Sequence, residues 1–526
     1  MSQSVGPGAP VRDAAPPERA GGAPKRNHDC DVCVVGNDVA GLVLAADLAR
    51  RGREVLVLAP MPPARPWPLD GVISPGFTLP TEDLVARVGR EDAHELLILS
   101  TAAAKSGLAL AERFGVTVGP RGRLTVARAH AADDLRREHD LRQALAPDTT
   151  VLVGAGDLAA LLATDTFALG LGVVPAERVP TEALRAALEA EARAAGVRIL
   201  SVEGALSADL KGVRKYLDTA NQRVRAFQVV ITGAAAFARL GPKVARLPRT
   251  PWVSGGFRVP GLAVPYAGVV EETGLTGLTW HVDGDRLALA AATATPMMTR
   301  VGAARVLRRH AAEAYGVGSS LVEGARGRWL PETGGMPLLH EGERGVWYAL
   351  IPGAGVFGLD FLAARLIAGA LADRDDRIAL LQPFASGTLT GWAGRIARTA
   401  GYWHLRLAAR LFMEKAAKPV AAQEPVLDAG LIGLPVQPPE VLPAEAAESA
   451  LPPPRDPHRV SGTATASARA RQGVAAATSA SRHAARAALH AASGWASGIA
   501  ARAASGPSRR RRPAPEPEDD TPPQRR

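Results

Sequence analysis

The sequence predicts an α/β fold built on a parallel sheet, and three observations carry that prediction. Between residues 29 and 380, short apolar runs rich in Val and Leu alternate with longer alanine-rich stretches of helical period. The first such pair is joined by a glycine-bearing turn, "GNDVAG", at residues 36–41. Hydrophobic residues make up 47% of a 526-residue chain, enough for a sizeable core, although alanine carries much of that count.

The first unit is the best defined. "CDVCVV" (30–35) is an apolar strand, "LVLAADLARRG" (42–52) a helix, and "REVLVLAP" (53–60) a second strand. Gly36 permits the tight turn, and Gly41 allows helix and strand to approach closely. The helix start offers free N–H groups and a partial positive charge to a pyrophosphate. Gly36, Asn37, Asp38, Val39, Ala40 and Gly41 are therefore candidate dinucleotide-binding residues. The middle position, where phosphates approach the backbone, holds Asp38. Aspartate is also a strong N-cap, so its carboxylate has a second job available on the same helix. An acid that accepts ribose hydroxyls is expected about 20 residues after the loop. The chain has Ala59, Pro60 and Met61 there, with no carboxylate nearby to substitute.

Further strands are expected at Asp31–Val35, Glu54–Leu58, Arg198–Val202, Gln228–Thr232, Arg286–Ala291 and Val346–Leu350. Helices are expected at Ala40–Arg51, Thr101–Phe114, Thr181–Ala195, Thr299–Ala314 and Leu359–Ala372. Cys30 and Cys33 form a C-x-x-C at a strand start, where positions three apart point to opposite faces. A redox pair belongs at a helix start and a zinc site needs more ligands, so these read as structural thiols in a reducing compartment. His281 in "TWHVDGD" and His340 in "PLLHEGERG" read as loop histidines, and no metal cluster, nucleophile elbow or P-loop is visible.

The ends are different in composition. Residues 1–28 form a Pro/Gly/Ala-rich extension expected to be disordered, with no secretory signal. Residues 386–418 read as a basic amphipathic helical segment. It either packs on its own domain or meets a membrane surface or partner through 389–416. Residues 419–526 read as a disordered low-complexity tail that includes Arg509, Arg510, Arg511 and Arg512. The net charge of +10 permits contact with nucleic acid or anionic lipid and specifies neither. No stretch of about 18 uncharged apolar residues occurs. The expected location is the cytoplasm, with attachment to the membrane periphery as an option.

Residues 30–375 resemble FAD-dependent oxidoreductases of the D-amino-acid oxidase and glycine oxidase type. Beyond the loop, "LDGVISPGF" (69–77) resembles the family's turn after the second strand. "GLALAERFGVTVGPRGRLTVA" (107–127) and "FALGLGVVPAERVPTEALRAALEAEARAAGVRIL" (167–200) resemble the crossings into and out of a substrate domain. "FQVVITGAAAF" (227–237) and "GVWYALIPGAGVFGLDFLAARLIAGALA" (345–372) resemble the later returns to the cofactor. The resemblance implies a Rossmann-like FAD-binding domain with an inserted mixed-sheet substrate domain. The nucleotide part would span about 29–80, 180–242 and 345–380, and the substrate part about 81–179 and 243–344, within a region 29–385. It implies FAD as cofactor and a small-molecule substrate, an amine or amino acid oxidised by hydride transfer to the flavin. Gly233, Gly353, Gly355 and Gly358 would join the cofactor contacts. The family's substrate-holding arginine precedes a proline. Here Leu330 precedes Pro331, with Arg326 and Arg328 close by. The alternative is a non-catalytic scaffold that keeps the fold without the flavin.

Overall fold

In the computed structural model, the described residues run from 25 to 385. Excepted are 62–68, 118–121, 204–205, 234–235, 237–239, 241–248, 263, 274–277, 294–298, 316–321, 332 and 353–354. The terminal segments 1–24 and 386–526, including the basic segment, lie outside them.

The first sheet has its central strand at β1 (Arg26–Val35), followed by α1 (Val39–Arg50) and β2 (Val55–Met61). β1 pairs in parallel with β2 on one side and with β11 (Gln222–Thr232) on the other. Outward from β2 comes β8 (Arg198–Glu203), and outward from β11 comes β18 (Val346–Leu350), both parallel. Antiparallel β17 (Leu338–Glu341) closes one edge. Two short strands, β9 (Ser207–Asp209) and β10 (Lys215–Asp218), form a meander on β11. Parallel strands must be covered on both faces. Val32, Cys33, Val34, Val35, Leu56, Val57 and Leu58 are accordingly all buried.

The alanine content of α1 has a packing reason. The helix lies between the sheet, α6 (Thr181–Ala194) and α8 (Gly358–Ala372). Its residues are therefore buried on nearly every side, from Val39 to Leu48. Small side chains let these helices approach without cavities. On its exposed edge Arg50 pairs with Glu191 of α6, and Arg51 with Asp373.

β1 begins at Arg26, so residues 26–28 belong to the sheet rather than to the N-terminal extension. Arg26–Cys30 extends along Gln222–Ala226 of β11, a pairing with a strand some 195 residues away that supplies the missing backbone partners. Cys30 and Cys33 are both buried and free. Contact with the Cys30 thiol and burial push the Cys33 thiol well above the usual range.

The second sheet has eight strands in the order β16-β12-β15-β14-β13-β4-β6-β5. These are β4 (Arg123–Ala127), β5 (Thr150–Gly154), β6 (Leu169–Val173), β12 (Arg249–Arg258), β13 (Val269–Glu272), β14 (Thr279–Asp283), β15 (Arg286–Ala292) and β16 (Val322–Pro331). All neighbours are antiparallel except β13 and β4. One face packs on α7 (Arg300–Tyr315) and forms its own core with Leu124, Val253, Leu289 and Trp280. The Trp280 indole N–H donates to the Tyr315 hydroxyl at 2.9 Å, so this buried polar tip is satisfied. A separate core surrounds the parallel sheet. It also takes in α3 (Arg90–Arg113), which starts eleven residues before the expected Thr101. Two short strands, β3 (Gly71–Ile73) and β7 (Glu177–Val179), pair antiparallel with each other.

Candidate functional site

In open parallel sheets a ligand crevice forms at the carboxyl ends of strands, where the strand order reverses. Here that point lies between β1 and β11. Val35 leads into Gly36 on one side, and Thr232 into Gly233 on the other.

Crowding at this point explains the surviving glycines. Gly36 has φ +130°, and a Cβ there would stand 2.3 Å from Thr232 Oγ1 and 2.5 Å from its carbonyl oxygen. A Cβ on Gly41 would meet the same Oγ1 at 2.7 Å. Thr232 is thus the residue against which the turn and the first helical turn are pressed. Asn37 is half-buried, while Val39 and Ala40 are buried in the helix start.

Asp38 is extended, at φ −76° and ψ 176°, and caps α1: its Oδ1 accepts from the Gly41 amide at 2.9 Å. Its other oxygen faces Gly233, where a Cβ would lie 2.8 Å from Oδ2. Burial pushes the Asp38 carboxyl above the usual carboxylate range, against the pull of the Gly41 amide and the Thr232 hydroxyl. A second acid shares this place. Asp360, in the first turn of α8, lies beside Ala40, whose amide favours its charged form. Burial first, and then the charge of Asp38, hold it well above its ordinary value. The Gly41 amide is therefore already bonded to one of the chain's own carboxylates, and a second carboxyl stands beside Ala40. Asp360 was not among the residues the sequence singled out. Its partner is more than 300 positions away, and its only local signal is an acid in a helix's first turn.

The C-terminal glycine loop is laid along β3. The Val72 amide donates to the Gly355 carbonyl, and the Phe357 amide to the Val72 carbonyl, both at 2.8 Å. A Cβ on Gly358 would fall 2.0 Å from the Ser74 carbonyl oxygen. Gly355 has φ +77°. Close approach to β3 thus accounts for Gly358, and turn geometry for Gly355. Gly353 lies outside the described residues.

At the end of β2 the sequence offers no acid, but the sheet does. Met61 pairs with Glu203 of β8, an exposed residue at the same end of the sheet.

Both histidines lie in strands rather than loops, because cross-strand pairing captures them. His340 of β17 stacks on Tyr348 with ring centroids 5.0 Å apart. His281 of β14 is buried, and its imidazole is pushed down to about 4 by burial and by the Arg178 charge. It is neutral at neutral pH and unsuited to serve as a cationic ligand. Its Nε2 is 3.9 Å from Asp70, within a cluster centred on Arg178. That guanidinium, 1% exposed, reaches Asp70 at 3.2 Å, Asp283 at 2.8 Å and the Ala267 carbonyl at 3.0 Å. The cluster ties β7 and the segment before β3 to β14. Among the described residues, no group of three or more His, Cys, Asp or Glu is placed to hold a metal ion.

Arg326 lies on β16, exposed, in register with Ser254 of β12. Ser254 pairs onward with Ala290, and Ala290 with Thr279. Residues directly paired across a sheet share a face. Arg326 thus shares the face opposite the α7 core, to which Val253, Leu289 and Ala325 belong. His281 is two residues from Thr279 and on the same face. The side chains of Arg328 and Leu330 lie outside the described residues.

A parallel sheet with a phosphate-type turn at its switch point, beside a large mixed sheet, defines a dinucleotide-binding fold with a second, mixed-sheet part. The sequence profile described as "FAD dependent oxidoreductase" matches residues 31–374, and the chain belongs to that family. No curated protein sequence matches it. Among solved structures it is similar to glycine oxidase from Geobacillus kaustophilus: 22% identity, TM-score 0.53, covering 69% of this chain and 100% of that one. It is also similar to L-proline dehydrogenase from P. horikoshii: 13% identity, TM-score 0.53, covering 69% and 98%. Iminodiacetate oxidase from Chelativorans sp. BNC1 matches at 21% identity and TM-score 0.50, covering 65% and 95%. At these identities the structures speak for the fold. The family match makes the chain an FAD-dependent oxidoreductase, with FAD as cofactor, and does not favour a scaffold without flavin.

The residues present fit that cofactor in most respects. The switch-point crevice, the tight turn at Gly36 and the side-chain-free approach at Gly233 all suit a dinucleotide. The one contested place is the helix start, where Asp38 occupies the Gly41 amide that a pyrophosphate would seek and Asp360 stands beside it.

Proposed function

We propose that this protein oxidises the carbon–nitrogen bond of a small amine or amino-acid-like molecule. The family match over residues 31–374 is the observation that carries this reading. It is supported by the similarity to a glycine oxidase, an L-proline dehydrogenase and an iminodiacetate oxidase. Bound FAD would supply the electron sink for hydride transfer. The chain's part is to hold the cofactor and orient the substrate carbon.

On this reading the turn Gly36–Gly41, Gly233 and the 355–358 loop line the cofactor, with 29–80, 180–242 and 345–380 as the nucleotide-binding part. The segments 81–179 and 243–344 hold the substrate. Glu203, in register with Met61 at the carboxyl end of β8, is the acid offered to a ribose hydroxyl. Arg326 is the guanidinium available to a substrate carboxylate, on the polar face of the large sheet and four residues before Leu330. A cytoplasmic location, with surface attachment through 389–416, rests on the sequence. Among the described residues no helix is long and apolar enough to cross a membrane.

The purified protein should be yellow, release flavin on heating, and bleach anaerobically with one member of an amine and amino-acid panel. A colourless protein that takes up no added FAD would overturn this reading. Arg326→Ala should raise KM for a carboxylate-bearing substrate by about tenfold to a hundredfold, the worth of a charge-assisted pair. It should leave KM for a carboxylate-free amine unchanged. Equal effects on both would remove Arg326 from substrate binding.

A further inference from the structure

The start of α1 presents a conflict of charge. A dinucleotide brings two phosphate charges to a helix N-terminus. In this chain the same N-terminus already holds Asp38, bonded to the Gly41 amide, and Asp360, beside Ala40. The carboxylates come from different parts of the chain and meet because α8 packs on α1. Asp360 is in addition in the first turn of its own helix, so two helix N-termini converge on the pair. Burial is the largest cause acting on both carboxyls, so each stands away from bulk water at the helix start.

No neighbouring cation neutralises them among the described residues. The end of β11 contributes Thr232 and Gly233, and the turn from β1 contributes Asn37. On α1 the next charges are Asp47, which pairs with Arg51 just past the helix end, and Arg50, which pairs with Glu191. On α8 the next is Arg365, which donates to Ser106 of α3. The charge acting on Asp360 is that of Asp38.

We propose that Asp38 and Asp360 make FAD binding proton-coupled: the pyrophosphate enters the helix start only as this carboxylate pair takes up a proton. The pair then acts as a determinant of cofactor affinity, holding the free protein's helix start in order and yielding it to a phosphate when neutral. This inference rests on FAD being the cofactor.

The sign follows from the direction of the shifts. Both carboxyls are held above the ordinary value of 3.8, so protonation is available in the folded protein at less acid pH than in a free carboxylate. FAD affinity should be greatest below the pair's raised titration. It should fall as pH climbs through and beyond it, by about tenfold per pH unit for each proton linked.

The test is FAD titration of the full-length apoprotein, followed by flavin fluorescence, from pH 5 to 8. It is joined by calorimetry in two buffers of different ionisation enthalpy. Wild type should show weakening affinity with rising pH and net proton uptake. Asp38→Asn with Asp360→Asn keeps an oxygen acceptor at each position. It should bind with no pH slope, no proton uptake, and at least about tenfold tighter at pH 8. Each single variant, checked by circular dichroism, should retain a reduced slope. A wild-type affinity flat across the range, or the same slope in the double variant, overturns the proposal and leaves FAD as the cofactor. Absence of FAD binding by every variant at every pH overturns the cofactor reading and the proposal with it.

Discussion

Arg178→Ala should destabilise the protein by about 3 kcal/mol, at the lower end for removal of one partner from a buried ion pair. The reasons lie in what the guanidinium holds. It is 1% exposed and serves two acids, Asp70 and Asp283, together with the Ala267 carbonyl. Truncation leaves a cavity and an unpaired carbonyl. The acids retain some water, with side chains 25% and 55% exposed, which keeps the cost from rising higher. Arg178→Met, which fills the volume, should cost less than Arg178→Ala. Urea unfolding measures both. A second readout separates charge from packing. The Arg178 charge helps hold His281 down near 4, so the His281 titration followed by NMR should move up in both variants. An unmoved titration would mean that burial alone sets it.

Gly36→Ala should cost more than about 3 kcal/mol and abolish FAD binding, because two penalties coincide. The backbone at φ +130° disfavours any L side chain, and the new methyl would lie 2.5 Å from the Thr232 carbonyl oxygen. That carbonyl belongs to a central strand and cannot swing away. Gly52→Ala is the control. Gly52 has φ +79° but nothing within 4 Å of an added Cβ. It should cost only about 1–2 kcal/mol of backbone strain. The difference between the two variants, measured by thermal unfolding, isolates the clash with Thr232. Equal costs would mean that the turn relaxes away from β11.

The first βαβ unit was legible in the sequence because its signals are local. The apolar runs, the two glycines and the helical spacing lie within about thirty residues of one another. The capping role open to Asp38 was legible for the same reason, since a cap acts within one turn. The α/β class and the order of family-like segments could be read as well. The mixed sheet was much less visible. Of its eight strands only Arg286–Ala291 was anticipated, because strands such as "LGLGV" and "RTPWVSGGFR" carry glycines and lack clean alternation. Their stability comes from neighbours far away in sequence, and periodicity does not report it. The same limit applies to the start of β1, where pairing with β11 adds five residues to the expected strand.

The sequence by itself determined that a dinucleotide turn exists, that its middle position is acidic, and that no acid stands at the end of the second strand. Only the tertiary structure decided what surrounds those positions. It brings Asp360 beside Ala40, Glu203 beside Met61, Thr232 against Gly36 and Gly41, and Arg178 between Asp70 and Asp283. Each of these meetings joins segments separated by tens to hundreds of residues. Local propensity acts over a turn or a strand, whereas charge and steric exclusion act over a few ångströms in space. For that reason the altered loop could be read along the chain, and the charge it places before its cofactor only across the fold.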